Sequence, residues 1–417
     1  MATGSKHVVI LGGGVGGQVV ANELRRRIPE EHRITVVERQ TQHAFAPSFL
    51  WVMTDTRRPE RVARDVRGRL RRGIDFVRAE VTRIDVAARS VATTGPTIAY
   101  DRLVIALGAE LAPERIPGLS EAAHTFYTLD GAVRLREGLE ALNEGTIAIV
   151  VSALPYKCPA APYEAAMLMA DFFRRHGRRR QVDIHVFTPE SQPMPVGGPA
   201  LGKAVHGMLA ERDISFHPLH ALTAVQPASR TLAFEGMTPI PYDLLVAIPP
   251  HRAPLFLRDA GITNEAGWIP VDPRTLVTRH EGIYALGDVT AIPIPGRWTR
   301  EVPLPLPKAG VFAHAEALVV ARRLAADIAG IAPADTDTFR GNGFCMLEAG
   351  GGRAGIAFGN FFAEPAPNVQ AGRVGRAWHI GKVLFEQWSL APRGLRRAAL
   401  AFSLRLGGKL TSIRMEL

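Results

Sequence analysis

The chain has 417 residues, 47% of them apolar and 22% charged, which is material for two or three cored domains and excludes a disordered chain. Two cysteines are too few for a disulfide scaffold, so each needs its own explanation. The formal net charge of +10 favours anionic partners, namely nucleic acid, anionic lipid headgroups or small anions, and where the charge sits decides between them.

"MATGSKHVVILGGG" enters the first strand almost at once, without the charged and apolar regions of a secretory signal. No apolar run reaches the roughly 18 residues of a transmembrane helix. A cytoplasmic protein, peripheral on the membrane, is expected. The next stretch, "HVVILGGGVGGQVVANELRRR", reads as strand, glycine turn and helix. Gly12, Gly14 and Gly17 fit G-x-G-x-x-G, and the following strand ends at Glu38, beside Arg39 and about 20 residues beyond the last glycine. Gly12 serves the tight turn, Gly14 the close approach of a pyrophosphate, and Gly17 the packing of helix on strand. The pyrophosphate then rests on the helix N-terminus while Glu38 accepts from a ribose hydroxyl. "YDRLVIALGAE" is a buried strand closing in a small-residue turn with Ala106 and Gly108.

"TIAIVVSALPYKCPAAPYEAAMLMADFFRR…VDIHVFTPES" repeats the layout of strand, turn, helix and strand, and predicts a structural duplication. Its turn has no glycine. Pro155, Lys157, Pro159 and Pro162 occupy it, and proline blocks close backbone approach and lacks the N–H that would hold a phosphate. This copy is not expected to bind NAD(P)H. It carries Cys158 instead. A buried cysteine can be a mere small apolar residue. Lys157 beside it and a helix start just after it both lower a thiol pKa and favour the thiolate. Glu164, near that helix start, is placed to relay protons.

"TRHEGIYALGDVTAIP" is a further strand, ending in Gly287 and Asp288, and a long helix follows from near Lys308. Cys345 lies in "FRGNGFCMLEAGGGRAG", between glycine turns that free its backbone. From Arg373 to Leu417 there are nine Lys and Arg against two Glu, together with Leu384, Phe385, Trp388 and Leu390. Leu395, Ala399, Phe402 and Leu406 share one helical face, while Leu400 and Leu404 fall elsewhere. A basic, partly amphipathic tail suggests a helix lying in a membrane interface. The alternative is a helix packed on its own domain or on a second copy in a homo-oligomer. No nucleic-acid-binding fold surrounds the tail, so nucleic acid is not an expected partner.

The Gly-Asp strand and the helix after it resemble those of flavoproteins with two dinucleotide-binding domains, such as glutathione reductase and type II NADH dehydrogenase. The resemblance implies FAD, with Asp288 at the ribityl chain and Lys308 and the helix N-terminus facing the flavin pyrimidine ring. Reduced flavin is anionic there, and a helix N-terminus and an ammonium both stabilise an anion. "PYKCPAAPYE", "GDVTAIPIP", "PKAGVFAHAEALVVARRLA" and "GNGFCMLEAGGG…NFFAEPAP" are more specific. They look like sulfide:quinone oxidoreductases and the related flavocytochrome c sulfide dehydrogenase flavoproteins, over nearly the whole chain. This implies that Cys158 and Cys345 form a redox-active sulfur-bridged pair flanking the flavin, that Glu164 is the accompanying acid, and that sulfide and a quinone are the substrates. Many members carry a third cysteine; "HTFYTLDGAVR" (His124–Arg134) has none. Phe344, Met346, Phe361 and Phe385 are candidate quinone walls by type and position, or core. No metal site is assigned.

The expected fold is α/β with two Rossmann-like dinucleotide-binding domains. The first spans 1–115 and 265–325, the second 116–264, and a C-terminal region with an amphipathic membrane-interaction tail spans 326–417. Three rival functions share these features: an NADH:quinone oxidoreductase, the flavin subunit of a cytochrome-linked sulfide dehydrogenase, and a non-catalytic flavoprotein.

Overall fold

The structure is a computed structural model and describes residues 4–299, 301–411 and 413. Arg414 and Glu416, counted in the tail charge, lie outside the described residues. The apolar runs "VVIL" and "ITVV" become the centre of a five-stranded parallel sheet. Its strand order is Ile283–Ala285, Arg102–Ile105, His7–Leu11, Arg33–Glu38, Asp75–Arg78. Side chains alternate across it. Val8, Ile10, Val36 and Val104 pack with Val20 and Leu24 of the helix Val15–Arg25 and with Val320 and Leu324 of the helix Gly310–Ile328. Val9, Leu11, Val37, Leu103 and Ile105 pack on the other face with Ile84, Val91 and Trp268. Burial on both faces explains why these strands read as continuous apolar runs.

The duplication is real at the level of topology. A four-stranded parallel sheet runs Ile214–His217, Val182–Phe187, Gly145–Val151, Leu244–Ile248. Ile147, Ile149 and Val151 face the helix Ala161–Arg175, while Ala148 and Val150 face Phe187 and Leu245. That helix starts at Ala161, four residues before the apolar run suggested. Pro162 sits in its first turn, where no intrahelical N–H is needed. Cys158 is therefore two residues before the N-cap, Ala160, and Glu164 lies in the first turn.

The C-terminal region is an antiparallel sheet, Asn342–Gly350, Arg353–Asn360 and Asn368–Gly375, followed by the helices Arg376–Leu390 and Leu395–Leu410. Leu347, Ala349 and Ala357 share a core with Ala165 and Met169 of the helix Ala161–Arg175, which draws the strand carrying Cys345 toward the Cys158 turn. The helix Arg376–Leu390 packs back on this sheet. Its Glu386 is buried, accepts from Ser48 Oγ (2.6 Å) and pairs with Arg57 (3.1 Å).

The tail is thus not one interfacial unit. Lys382, Glu386, Trp388 and Leu390 are buried against the body, so Lys382 is no surface charge. Apart from Ile380 in the first helix, the large exposed apolar residues of the tail lie in the second: Leu395 (91% exposed), Phe402 (69%), Leu406 (48%) and Leu410 (80%), whereas Leu404 turns inward. None of the helices among the described residues is long and apolar enough to cross a membrane.

Candidate active site

A cavity of about 1090 Å³ opens where the turns after several strands of both sheets meet the C-terminal region. Of the catalytic, cofactor and quinone candidates named from the sequence, all but Gly17 line it.

At one end the backbone is shaped for close approach. Gly12 has φ +99°, and a Cβ there would lie 2.3 Å from the Ala106 carbonyl oxygen, so no other residue fits. A Cβ on Gly17 would lie 1.9 Å from Gly12 O, which makes Gly17 a packing glycine beneath the turn. Gly14, the N-cap of Val15–Arg25, is different: nothing lies within 4 Å of where its Cβ would be, so the helix N-terminus stands open. Gly108 is equally open, with φ +70°. Glu38 is held by the Gly13 and Gln40 amides, which donate to it at 2.7 and 2.8 Å. Arg39 pairs with Glu80 (3.0 Å) and Glu110 (3.7 Å).

The Gly-Asp turn is braced from two sides. Gly287 (φ +73°) donates its amide to Glu316 Oε2 at 2.6 Å. Burial pushes the Asp288 carboxyl up, against Lys157 and Lys308, which hold it down. Lys308 is not a solvated lysine. Its ammonium donates to the Asp288 and Thr290 carbonyls (both 2.8 Å) and lies 3.7 Å from the Trp268 ring centre, and burial lowers its pKa to about 8. The helix itself begins at Gly310.

Glu316 was not legible in the sequence. Burial pushes its carboxyl up to about 7 from 4.5. The unfolded chain gives up this proton above about pH 4.5 and the folded chain only near 7. Stability therefore falls as pH rises between those values, by on the order of 3 kcal/mol for this group. Glu316→Gln should flatten the decline: between pH 5 and 8 the melting temperature of the flavin-loaded variant should fall less than that of the wild type.

At the other end stand the cysteines. Cys158 has φ +57°, a left-handed conformation that costs an L-residue roughly 1–2 kcal/mol. It is fixed there by its amide, which donates to Lys308 O (2.7 Å), and its carbonyl, which accepts from the Ala161 amide (2.9 Å). Cys345 lies opposite Ala357 in the C-terminal sheet. Both thiols are free. Neither is thiolate-prone, contrary to the expectation from the turn. Burial pushes Cys158 up to about 12, the Glu164 carboxylate adding to it, and this outweighs Lys382 and the Ala161 and Ala160 amides, which pull down. Burial raises Cys345 too, with Cys158 and Glu164 in the same direction. The Lys157 ammonium donates to the Ala109 carbonyl (3.3 Å).

Glu164 is buried and bonded twice: Oε1 accepts from the Glu348 amide (2.8 Å) and from the ammonium of Lys382. Glu348 in turn bonds His379 Nδ1 at 2.9 Å. Lys382, Glu348 and His379 were all missed in the sequence, since nothing local marks a lysine that pairs 218 positions back. Glu190 was also missed, although a signal existed. It follows the second strand of the second sheet, much as Glu38 ends that of the first. Here Oε2 accepts from the hydroxyls of Tyr156 (3.0 Å), Tyr163 (3.3 Å) and Thr188 (3.2 Å). The acid that would meet a ribose is satisfied internally, one partner coming from the proline turn itself.

Of the candidate quinone walls, Phe344 and Phe385 meet edge-on (5.7 Å) and Met346 is buried beside them. Phe361 packs separately, against Phe312 (5.1 Å).

The sequence pattern of the pyridine nucleotide-disulphide oxidoreductases matches residues 6–310. The chain belongs to that family. Relatives within it include the mitochondrial sulfide:quinone oxidoreductase of Mus musculus, 28% identical over 299 residues, which cover 69% of this chain and 66% of that protein. The chain thus spans just under two thirds of that relative. The sulfide-quinone reductase of Aquifex aeolicus is 28% identical over 399 residues, 93% of this chain and 90% of that one. The X-ray structure of the sulfide:quinone oxidoreductase from Aquifex aeolicus superposes with a TM-score of 0.85 at 25% identity, covering 98% of this chain and 96% of that chain. FAD is the cofactor that this family member takes, and the cavity suits it: an open helix N-terminus at Gly14, the open Gly108, an acid at Glu38, and the N-terminus of Gly310–Ile328 at the far wall.

Proposed function

We propose that this family member is a peripheral membrane enzyme that oxidises sulfide and passes the electrons through FAD to a quinone. The observation that carries the reading is the pairing of Cys158, from a turn stripped of glycine, with Cys345, from the C-terminal sheet, in one flavin-sized cavity. Gly12, Gly14, Gly17, Glu38, Arg39, Ala106, Gly108, Gly287, Asp288 and Lys308 would hold the cofactor. Bound FAD supplies a two-electron acceptor that a quinone can reoxidise.

The cysteines supply the sulfur chemistry. Hydrosulfide attacks one sulfur of the bridged pair, so that one cysteine becomes a persulfide and the other leaves as thiolate. A second hydrosulfide takes the outer sulfur as hydrodisulfide, leaving a thiol. Closing the thiol and thiolate to the disulfide again releases one proton and two electrons, the pair that bound FAD would accept. Because burial keeps the proton on sulfur, that last step needs a proton acceptor nearby. Glu164 fills the role, its Oε1 paired with the Lys382 ammonium. Phe344, Met346, Phe361 and Phe385 are proposed as quinone walls.

An NADH oxidoreductase of the same fold is disfavoured by Pro155 and Pro159 in the turn and by the occupied Glu190. Sulfide should bleach the flavin of the anaerobic protein within seconds, an added quinone should restore its colour, and NADH should leave it oxidised. Stopped-flow absorbance decides, and bleaching by NADH alone would overturn the reading.

The membrane surface is met, in this proposal, by the helix Leu395–Leu410. Leu395, Ala399, Phe402 and Leu406 follow one another at helical spacing and are exposed, continued by Leu410. Burying them in an interface gains roughly 25 cal/mol per Å². Leu395→Asp combined with Phe402→Asp should abolish co-sedimentation with anionic vesicles and slow turnover on a long-chain quinone more than on a short one. Sulfide-driven bleaching should survive, since neither side chain enters the cysteine site. Unchanged sedimentation would make the stripe a contact between copies.

A further inference from the structure

One stretch of the cavity wall is basic, and among the described residues it forms no ion pair with a carboxylate. Arg69 and Arg71 come from the segment after the first domain's crossover, Arg393 from the turn before the last helix, and Arg397 from that helix. Asn22, in the middle of the helix Val15–Arg25, gathers them. Its Nδ2 donates to Arg69 O (3.0 Å), and its Oδ1 accepts from the Arg71 amide (2.9 Å) and from Arg393 Nη1 (2.6 Å). Arg69 Nε donates to Gln18 Oε1 (2.6 Å). Arg397 lies over the Trp388 ring (4.6 Å). Among the described residues, Arg69 Nη1 and Arg71 Nε are buried without a hydrogen-bond partner.

Among the described residues, burial and neighbouring arginines act on Arg69, Arg393 and Arg397. Burial lowers Arg69 to about 10, with Arg397, Arg64 and Arg393 adding to it. Burial and Arg71 lower Arg393, and burial and Arg393 lower Arg397. His43 and His314, on the same wall, fall to about 4 through burial and then through Arg69 and Arg397 respectively. Among the described residues, no carboxylate figures in the influences on Arg69, Arg393, Arg397, His43 or His314. Buried guanidinium N–H groups without acceptors are costly, and their planar fork matches phosphate oxygens. Arg393 also donates to the Leu70 carbonyl and Arg397 to those of Ser389 and Ala391, while the unpartnered N–H groups of Arg69 and Arg71 suit an anion.

We infer that this wall is a binding site for the phosphodiester of an anionic phospholipid. Two observations separate it from the dinucleotide. The pyrophosphate position at Gly12–Gly14 is at the start of the helix, whereas Gln18 and Asn22 lie one and two turns further on. Arg397 also belongs to the helix whose outer face exposes Leu395, Phe402, Leu406 and Leu410, so a headgroup held on the inner side has its acyl chains beside an apolar stripe. The inference rests on the interfacial reading of that helix, and the test keeps the two apart by using a lipid that needs no membrane.

The flavin-loaded protein is titrated calorimetrically with monomeric dihexanoyl phosphatidylglycerol and, separately, with inorganic phosphate. The same is done for Arg393→Gln/Arg397→Gln and for Leu395→Asp/Phe402→Asp. The lipid should bind with one site per chain and more tightly than phosphate. The arginine variant should lose at least about tenfold in affinity, as expected for charged hydrogen bonds, with its FAD content and sulfide-driven bleaching unchanged. The aspartate variant should retain the short lipid although it no longer sediments with vesicles. Absence of saturable lipid binding overturns the site, and equal affinity for inorganic phosphate overturns the lipid assignment. Loss of FAD from the arginine variant would give these arginines to the cofactor instead.

Discussion

Replacing either Cys158 or Cys345 by serine is expected to abolish reduction of the bound flavin by sulfide, while the FAD stays in place. A hydroxyl cannot exchange with sulfide or close a sulfur bridge, so the covalent route is lost outright rather than slowed by a weaker contact. The expected fall in the bleaching rate is more than about a thousandfold, the scale on which a covalent catalyst fails without its nucleophile. Cofactor retention follows from geometry. The backbone that receives the dinucleotide, at Gly12, Gly14, Gly108 and Gly287, belongs to the first sheet, whereas the cysteines belong to the second domain's turn and the C-terminal sheet. Cys158→Ser also keeps a small side chain at the left-handed position, so the bond from its amide to Lys308 survives. Stopped-flow absorbance and the FAD-to-protein ratio together check the prediction. Wild-type bleaching in either variant would mean that sulfide enters by another route.

What could be read in advance follows from which constraints are local. Gly12 was legible because a backbone approach of 2.3 Å at positive φ admits no side chain, and Glu38 because it ends the strand paired in register beside that turn. Cys158 stood out because prolines replaced the residues that a phosphate needs. The apolar stripe at Leu395, Ala399, Phe402 and Leu406 was legible because helical spacing alone puts those residues on one face. The thiol environment was not. The helix start and Lys157 are neighbours in sequence and argue for a thiolate, but the walls that bury Cys158 include a sheet and a helix from the far end of the chain, and burial wins. The same cause hid Lys382. By composition it belonged with the basic residues of the tail, and only the packing of Arg376–Leu390 onto the body turns it from a surface charge into the partner of Glu164. Glu190 shows an intermediate case: its place after a strand was visible, its capture by Tyr156 and Tyr163 was not.

Lys382→Met should be among the most damaging single changes in the protein. The side chain is 4% exposed, its ammonium bonds Glu164 Oε1, and it lies 5.5 Å from the Trp51 ring centre. Methionine fills the same space but leaves the Glu164 carboxylate buried with the Glu348 amide as its remaining hydrogen-bond donor. An uncompensated buried charge costs roughly 3–5 kcal/mol. The same change strips its partner from the carboxylate proposed to take the proton from the cysteine pair. Stability and sulfide-driven bleaching should therefore fall together. Glu164→Gln by itself keeps an acceptor for the Glu348 amide but leaves the ammonium unpaired. The double variant Glu164→Gln/Lys382→Met removes both charges and should regain most of the lost melting temperature, because a neutral, well-packed pair is no worse than an ion pair in the interior. Its bleaching rate should stay low, since no carboxylate remains to take the proton. If the double variant recovers rate along with stability, the pair is a strut and proton transfer at the cysteines runs through another group. If it recovers stability alone, Glu164 acts on the chemistry and Lys382 holds it in place.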